Sequence, residues 1–175
     1  MLDYWQLLVF ILPAYVSNGV PVLIPGRTPI DLGQNHDDGN RFFGPGKTFR
    51  GFVAGVVGGT LVGILVALIW PSALPVLGFE EKAGLSFLLA FGAMAGDLSG
   101  SFLKRRLHVP PGAKIRFLDQ VPFVLVALLL AVLAFPVLAD QIGWWGFTFL
   151  VVFTVVIHRA VNYAAFRAGL KRVPW

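Results

Sequence analysis

Asp97, Ser101, Lys104 and Arg105 stand at i, i+4, i+7 and i+8 in an otherwise apolar run, which puts a carboxylate, a hydroxyl and two cations near one helix face. An ionised carboxylate inside a membrane span costs about 2.5–3.5 kcal/mol on insertion scales, so Asp97 requires a polar partner. Asp119 closes the basic stretch that follows, after Arg106, Lys114 and Arg116, with Gln120 next to it. Two carboxylates beside such cations suit a magnesium–polyphosphate site. Mg2+ commonly takes one or two carboxylates together with phosphate oxygens and water, and the cations balance the remaining phosphate charge. The same spacing also suits plain pairing of Asp97 and Asp119 with the neighbouring cations.

A second polar segment runs from Pro29 to Gly51 and contains Asp31, Asp38, Arg41, Lys47, Thr48 and Arg50 among glycines. Glycines let backbone amides approach an anion, and the basic side chains supply charge, so this loop reads as one that handles phosphate. A solvated loop without such a role is the alternative. Gly46-Lys47-Thr48 looks like the end of a Walker A loop, but Arg41 occupies the place of the earlier glycine and no strand precedes it.

The elements that must position these groups follow from composition. Of 175 residues, 57% are hydrophobic and only 13% charged, and a spanning helix takes about 20 apolar residues. A water-soluble enzyme is thereby excluded, and with no cysteine so are disulfides, thiolate metal sites and cysteine nucleophiles. The net charge of +5 belongs to loops facing anionic lipid rather than to nucleic acid. The chain reads as one all-α integral membrane domain over residues 1–175, with five transmembrane helices at about 2–22, 52–70, 83–103, 119–139 and 143–166.

Orientation follows from Lys and Arg placement. With the N-terminus outside and the C-terminus cytoplasmic, Lys82 alone faces outward, and every other Lys and Arg falls on the inner side. Two cytoplasmic loops, about 23–50 and 104–118, then carry the polar chemistry, which places the active site at the cytoplasmic membrane edge. Gly51, Gly55, Gly59 and Gly63, and likewise Gly92, Gly96 and Gly100, form rows that let backbones pack closely, either within one chain or across a homodimer.

The run Gly96-Asp97-Leu98-Ser99-Gly100-Ser101-Phe102-Leu103-Lys104-Arg105-Arg106, followed by Asp119-Gln120, resembles the signature of the CTP:lipid-phosphate cytidylyltransferases, the family of CDP-diacylglycerol synthases. Ser101, Lys104, Arg105 and Asp119 are its best matches. After Arg106 the chain departs from the bacterial form, with Pro110-Pro111-Gly112-Ala113-Lys114 in place of its Lys-Asp and His-Gly-Gly elements. Short length and five spans resemble the compact archaeal branch, over nearly the whole chain. The resemblance implies a membrane enzyme of phospholipid synthesis that transfers CMP from CTP to an ether-lipid phosphate with polyprenyl tails, an unsaturated archaetidic acid, in the cell membrane.

On this reading Asp97, Ser101, Lys104 and Asp119 are catalytic, with Asp97 and Asp119 holding Mg2+. Asp31, Asp38, Arg41, Lys47, Thr48, Arg50, Arg105, Lys114 and Arg116 bind substrate. Two alternatives stand beside it. One is another lipid-phosphate enzyme such as a CDP-alcohol phosphotransferase, although Asp38-Gly39-Asn40-Arg41 is too short for that motif. The other is a small ion or solute transporter using Asp97.

Overall fold

The computed structural model describes residues 1–111, 113 and 115–170, the Arg116 side chain excepted. Six helices follow in order: α1 (Tyr4–Leu23), α2 (Phe49–Ile69), α3 (Phe79–Arg106), α4 (Arg116–Gln120), α5 (Pro122–Ala134) and α6 (Val137–Arg167). Among the described residues there are no strands, only two isolated bridges in the loop between α1 and α2.

The first three helices begin where side chains satisfy their free amides. Asp3 accepts from the Gln6 amide at 2.7 Å while the Gln6 side chain accepts from the Asp3 amide at 3.0 Å, a reciprocal arrangement that starts α1. Thr48 caps α2 by accepting from the Gly51 amide at 3.2 Å. At the start of α3 the Glu81 carboxylate reaches back to the Gly78 amide at 2.7 Å.

Helix α3 is the axis of the bundle, packed on α1, α2 and α5, and both glycine rows are spent around it. A Cβ on Gly92 would stand 2.7 Å from the Ala127 Cα, and Gly96 and Gly100 abut Pro122, Phe123 and Leu118 in the same way. The other row faces α1 and α3. Pro21 lacks the amide that would bond the Ser17 carbonyl, and that carbonyl lies 2.7 Å from where a Gly55 Cβ would be. The Ser17 hydroxyl donates to the Ala90 carbonyl at 2.9 Å. The rows therefore serve contacts inside one chain.

Among the described residues four helices, α1, α2, α3 and α6, are long and apolar enough to cross a membrane, so this is a multi-pass membrane protein. The segment expected as a fourth span at 119–139 is divided: α5 has 13 residues, about 20 Å at 1.5 Å per residue against a hydrocarbon core near 30 Å. Its ends are set by Pro122, which opens it, and by Phe135-Pro136, where the chain breaks before α6. Helix α6 begins earlier than the expected 143 and bends at Gly143, whose φ of 61° is one that glycine adopts freely.

Helix α3 also runs further than expected, to Arg106, so Lys104, Arg105 and Arg106 form its last turn instead of opening a loop. Cations there oppose the negative end of the helix dipole. At the other end of α3 Lys82 is buried, its ammonium donating to the Pro71 carbonyl.

Candidate active site

The C-terminal end of α3 carries the four residues of the predicted face on one unbroken helix. Asp97 pairs with Lys47, which arrives from the α1–α2 loop, and Lys104 pairs with Asp119 of α4. Asp119 also accepts from the Ile115 amide at 3.0 Å, which fixes its direction. All four paired side chains remain partly open to solvent, at 28% and 29% for Lys47 and Asp97 and 15% and 25% for Lys104 and Asp119. A ligand can thus reach them.

Ser101 and Arg105, one turn apart on the same helix, are both buried. The Arg105 Nε has no hydrogen-bond partner among the described residues. A buried donor without a hydrogen bond costs free energy until an acceptor meets it, while the nearby Asp119 carboxylate already offsets part of the Arg105 charge. Beside Lys47 and Asp97 a cavity of about 160 Å³ opens between the end of α1, the loop and α3, bounded by Pro21, Gly26, Thr48 and Leu98 among others.

The α1–α2 loop is a built structure. Its two ends are joined by Ile30 N–H to the Lys47 carbonyl at 2.8 Å and Phe49 N–H to the Thr28 carbonyl at 3.1 Å. Asp31 holds the interior. Its buried carboxylate accepts from the Arg41 guanidinium and from the amides of Gly33 (3.1 Å), Phe43 (3.2 Å) and Gly44 (2.9 Å). Burial pushes this carboxyl upward, but the Arg41 bonds and the three amides outweigh it and hold Asp31 well below the usual carboxylate range. The same contact raises Arg41.

Asp31 is therefore turned inward on the loop, and Arg41 is its partner. Asp38 accepts from the Asn40 amide at 3.0 Å; that bond, with the nearby Arg106 charge, holds it below its ordinary value. Thr48 caps α2, and Arg50 is exposed on its first turn. Of the predicted loop residues, Lys47 is the one brought against the α3 face. Lys114 and the Arg116 side chain lie outside the described residues.

Arg106 has a role that the spacing argument overlooked. Its Nη2 donates to the main-chain oxygens of Asn40 (3.2 Å) and Arg41 (2.9 Å), and its Nη1 lies 3.1 Å from the Asp38 carboxylate, near enough for charge attraction though off the line of a hydrogen bond. The guanidinium also sits 5.2 Å from the Phe102 ring centre and 5.9 Å from that of Phe42. Two signals pointed there: Phe102 one turn before Arg106, and the aromatic pair Phe42-Phe43 in an otherwise polar loop.

Among the described residues no three or more His, Cys, Asp or Glu groups gather to hold a metal. Two carboxylates among lysines still match Mg2+, an ion that completes its shell with substrate phosphate oxygens and water.

Comparison with known proteins places these features in context. Residues 2–175 match the family model described as CarS-like, CDP-archaeol synthase. The CDP-archaeol synthase of Thermococcus gammatolerans is 46% identical over 172 residues, covering 98% of this chain and 96% of the relative. That of Archaeoglobus fulgidus is 46% identical over 174 residues, covering 94% of each. A solved structure described as an intramembrane enzyme for archaeal membrane lipid biosynthesis superposes with a TM-score of 0.75 at 34% identity, covering 91% of this chain and 94% of the other.

Proposed function

The chain belongs to the CDP-archaeol synthase family, and from that premise we propose how its own side chains carry out the transfer. It transfers CMP from CTP to an ether-lipid phosphate, forming CDP-archaeol and pyrophosphate. The phosphotransferase and transporter readings are thereby set aside. The observation that carries the residue assignment is the α3 face, where Lys47–Asp97 and Lys104–Asp119 flank the buried Ser101 and Arg105.

A lipid phosphate is already anionic near neutrality, so its oxygen needs no strong base. It attacks the α-phosphorus of CTP as the bond to pyrophosphate breaks. The obstacle is repulsion between two polyanions, so positioning and charge neutralisation are the main catalytic contributions. Lys104 and Ser101 contact phosphate oxygens, Arg105 neutralises the departing pyrophosphate, and Lys47 presents its charge from the loop. Lys114 and Arg116 are assigned to substrate from the sequence alone. Asp97 and Asp119 hold Mg2+, which when bound supplies neutralisation of phosphate oxygens.

Five crossings, with the N-terminus outside and the C-terminus cytoplasmic in the cell membrane, fit the placement of charge. Residues 121–139 contain no charged side chain, and α5 packs along α3. On α6 no described residue beyond Thr154 is buried, which leaves its inner half beside α5 as the side from which prenyl tails enter. The glycine rows are used inside the chain, so a homodimer would need another surface.

The test is pyrophosphate release by purified protein in detergent, with Mg2+ and a polyprenyl-ether glycerol phosphate. Release with CTP but not ATP, GTP or UTP, requiring both lipid and metal and yielding a CDP-lipid, is the expected result. Release that persists in EDTA would remove the Mg2+ assignment.

A further inference from the structure

Both carboxylates assigned to the metal already hold a lysine. Each lysine neutralises one of the two carboxylates. No third acidic or histidine ligand joins them among the described residues. A free divalent ion would therefore have to displace an ammonium group from each carboxylate it took and leave that charge nearby, which like-charge repulsion opposes at this partly desolvated edge. A divalent ion carried on a nucleoside triphosphate arrives with the oxygens that those ammonium groups can take.

The displaced lysines can move without dismantling the site. The α1–α2 loop is closed by the Ile30–Lys47 and Phe49–Thr28 backbone bonds and by the Asp31 network, and it is fastened to α3 by Arg106. None of these uses the Lys47 ammonium. Lys104 is likewise anchored by its own helix.

Resting on the metal assignment above, we propose that Lys47 and Lys104 are cation placeholders: the site admits its divalent ion together with the nucleotide, and both lysines pass from carboxylate to phosphate as it enters. The lysine then serves in turn to keep the empty site neutral and to bind the triphosphate. This makes nucleotide and metal binding mutually dependent.

Mn2+ binding, followed by electron paramagnetic resonance on the purified full chain in detergent without lipid, tests this with no turnover. Wild type should retain Mn2+ with CTP present and little without it. Lys47→Met should tighten Mn2+ binding in the absence of CTP by at least about fivefold, the factor equal to one ion pair of about 1 kcal/mol, and Lys104→Met should act alike. Lys47→Arg should restore the dependence on CTP. Equal Mn2+ retention by wild type with and without CTP, or no gain in either methionine variant of native elution volume, would overturn the placeholder role and leave the metal assignment standing. Absence of Mn2+ binding in every variant even with CTP would overturn both.

Discussion

The Arg106 side chain, in the last turn of α3, donates to the main-chain oxygen of Arg41 at 2.9 Å. A helix end thereby holds the loop that delivers Lys47 to Asp97, and it does so through main-chain oxygens of the loop.

Replacing Arg106 with Met should therefore loosen the loop and leave the helices intact. Two bonds from a charged donor and two ring contacts are lost, about 2 kcal/mol in favourable geometry. Trypsin should cut at Arg41 or Lys47 faster than in wild type, and KM for CTP should rise more than kcat falls. Unchanged loop cleavage would show that the loop stays docked without this residue.

Asp97→Asn and Asp119→Asn should each lower pyrophosphate release by at least about a hundredfold, the scale seen when one preorganised charge-stabilising group is removed. Native elution in detergent would separate lost chemistry from lost fold. Near-normal turnover in either variant would remove that residue from the metal site.

The loop should respond to acid through Asp31. Its folded carboxyl is held below the ordinary unfolded value near 3.9, so its contribution to stability is fully present above that value. It is lost as pH falls through the folded value, when the neutral acid can no longer accept from Arg41 and three amides. Pepsin should spare the loop near pH 4 and attack it as pH is lowered further. Asp31→Ala should open the loop to trypsin at neutral pH, at a cost of about 3 kcal/mol for breaking a buried ion pair.

Glycines that look alike in sequence should differ in tolerance. Gly96→Ala forces a Cβ into the Pro122–Phe123 backbone and should destabilise by about 1–3 kcal/mol. Gly19, in α1, has nothing within 4 Å of the same atom, so Gly19→Ala should stabilise by about 0.5–1 kcal/mol. Thermal melts of the detergent-solubilised variants read both.

Local sequence determined much of this protein. Hydrophobic runs and sparse charge specified membrane helices, because a backbone in lipid must satisfy its own hydrogen bonds. The face carrying Asp97, Ser101, Lys104 and Arg105 followed from helical periodicity alone, and the glycine rows announced close packing. Tertiary structure decided what met what. Lys47 and Asp97 are fifty positions apart, and Arg106 and Arg41 sixty-five, so no spacing rule connects them. The glycine rows turned inward on α1, α3 and α5, a choice that local composition leaves open between one chain and two. That Asp31 and Arg41 pair with each other was not legible either, because it takes three converging amides to make the loop interior a place for a carboxylate. Periodicity reports what one helix can present; which partner arrives depends on how the chain returns, and only the packed bundle sets that.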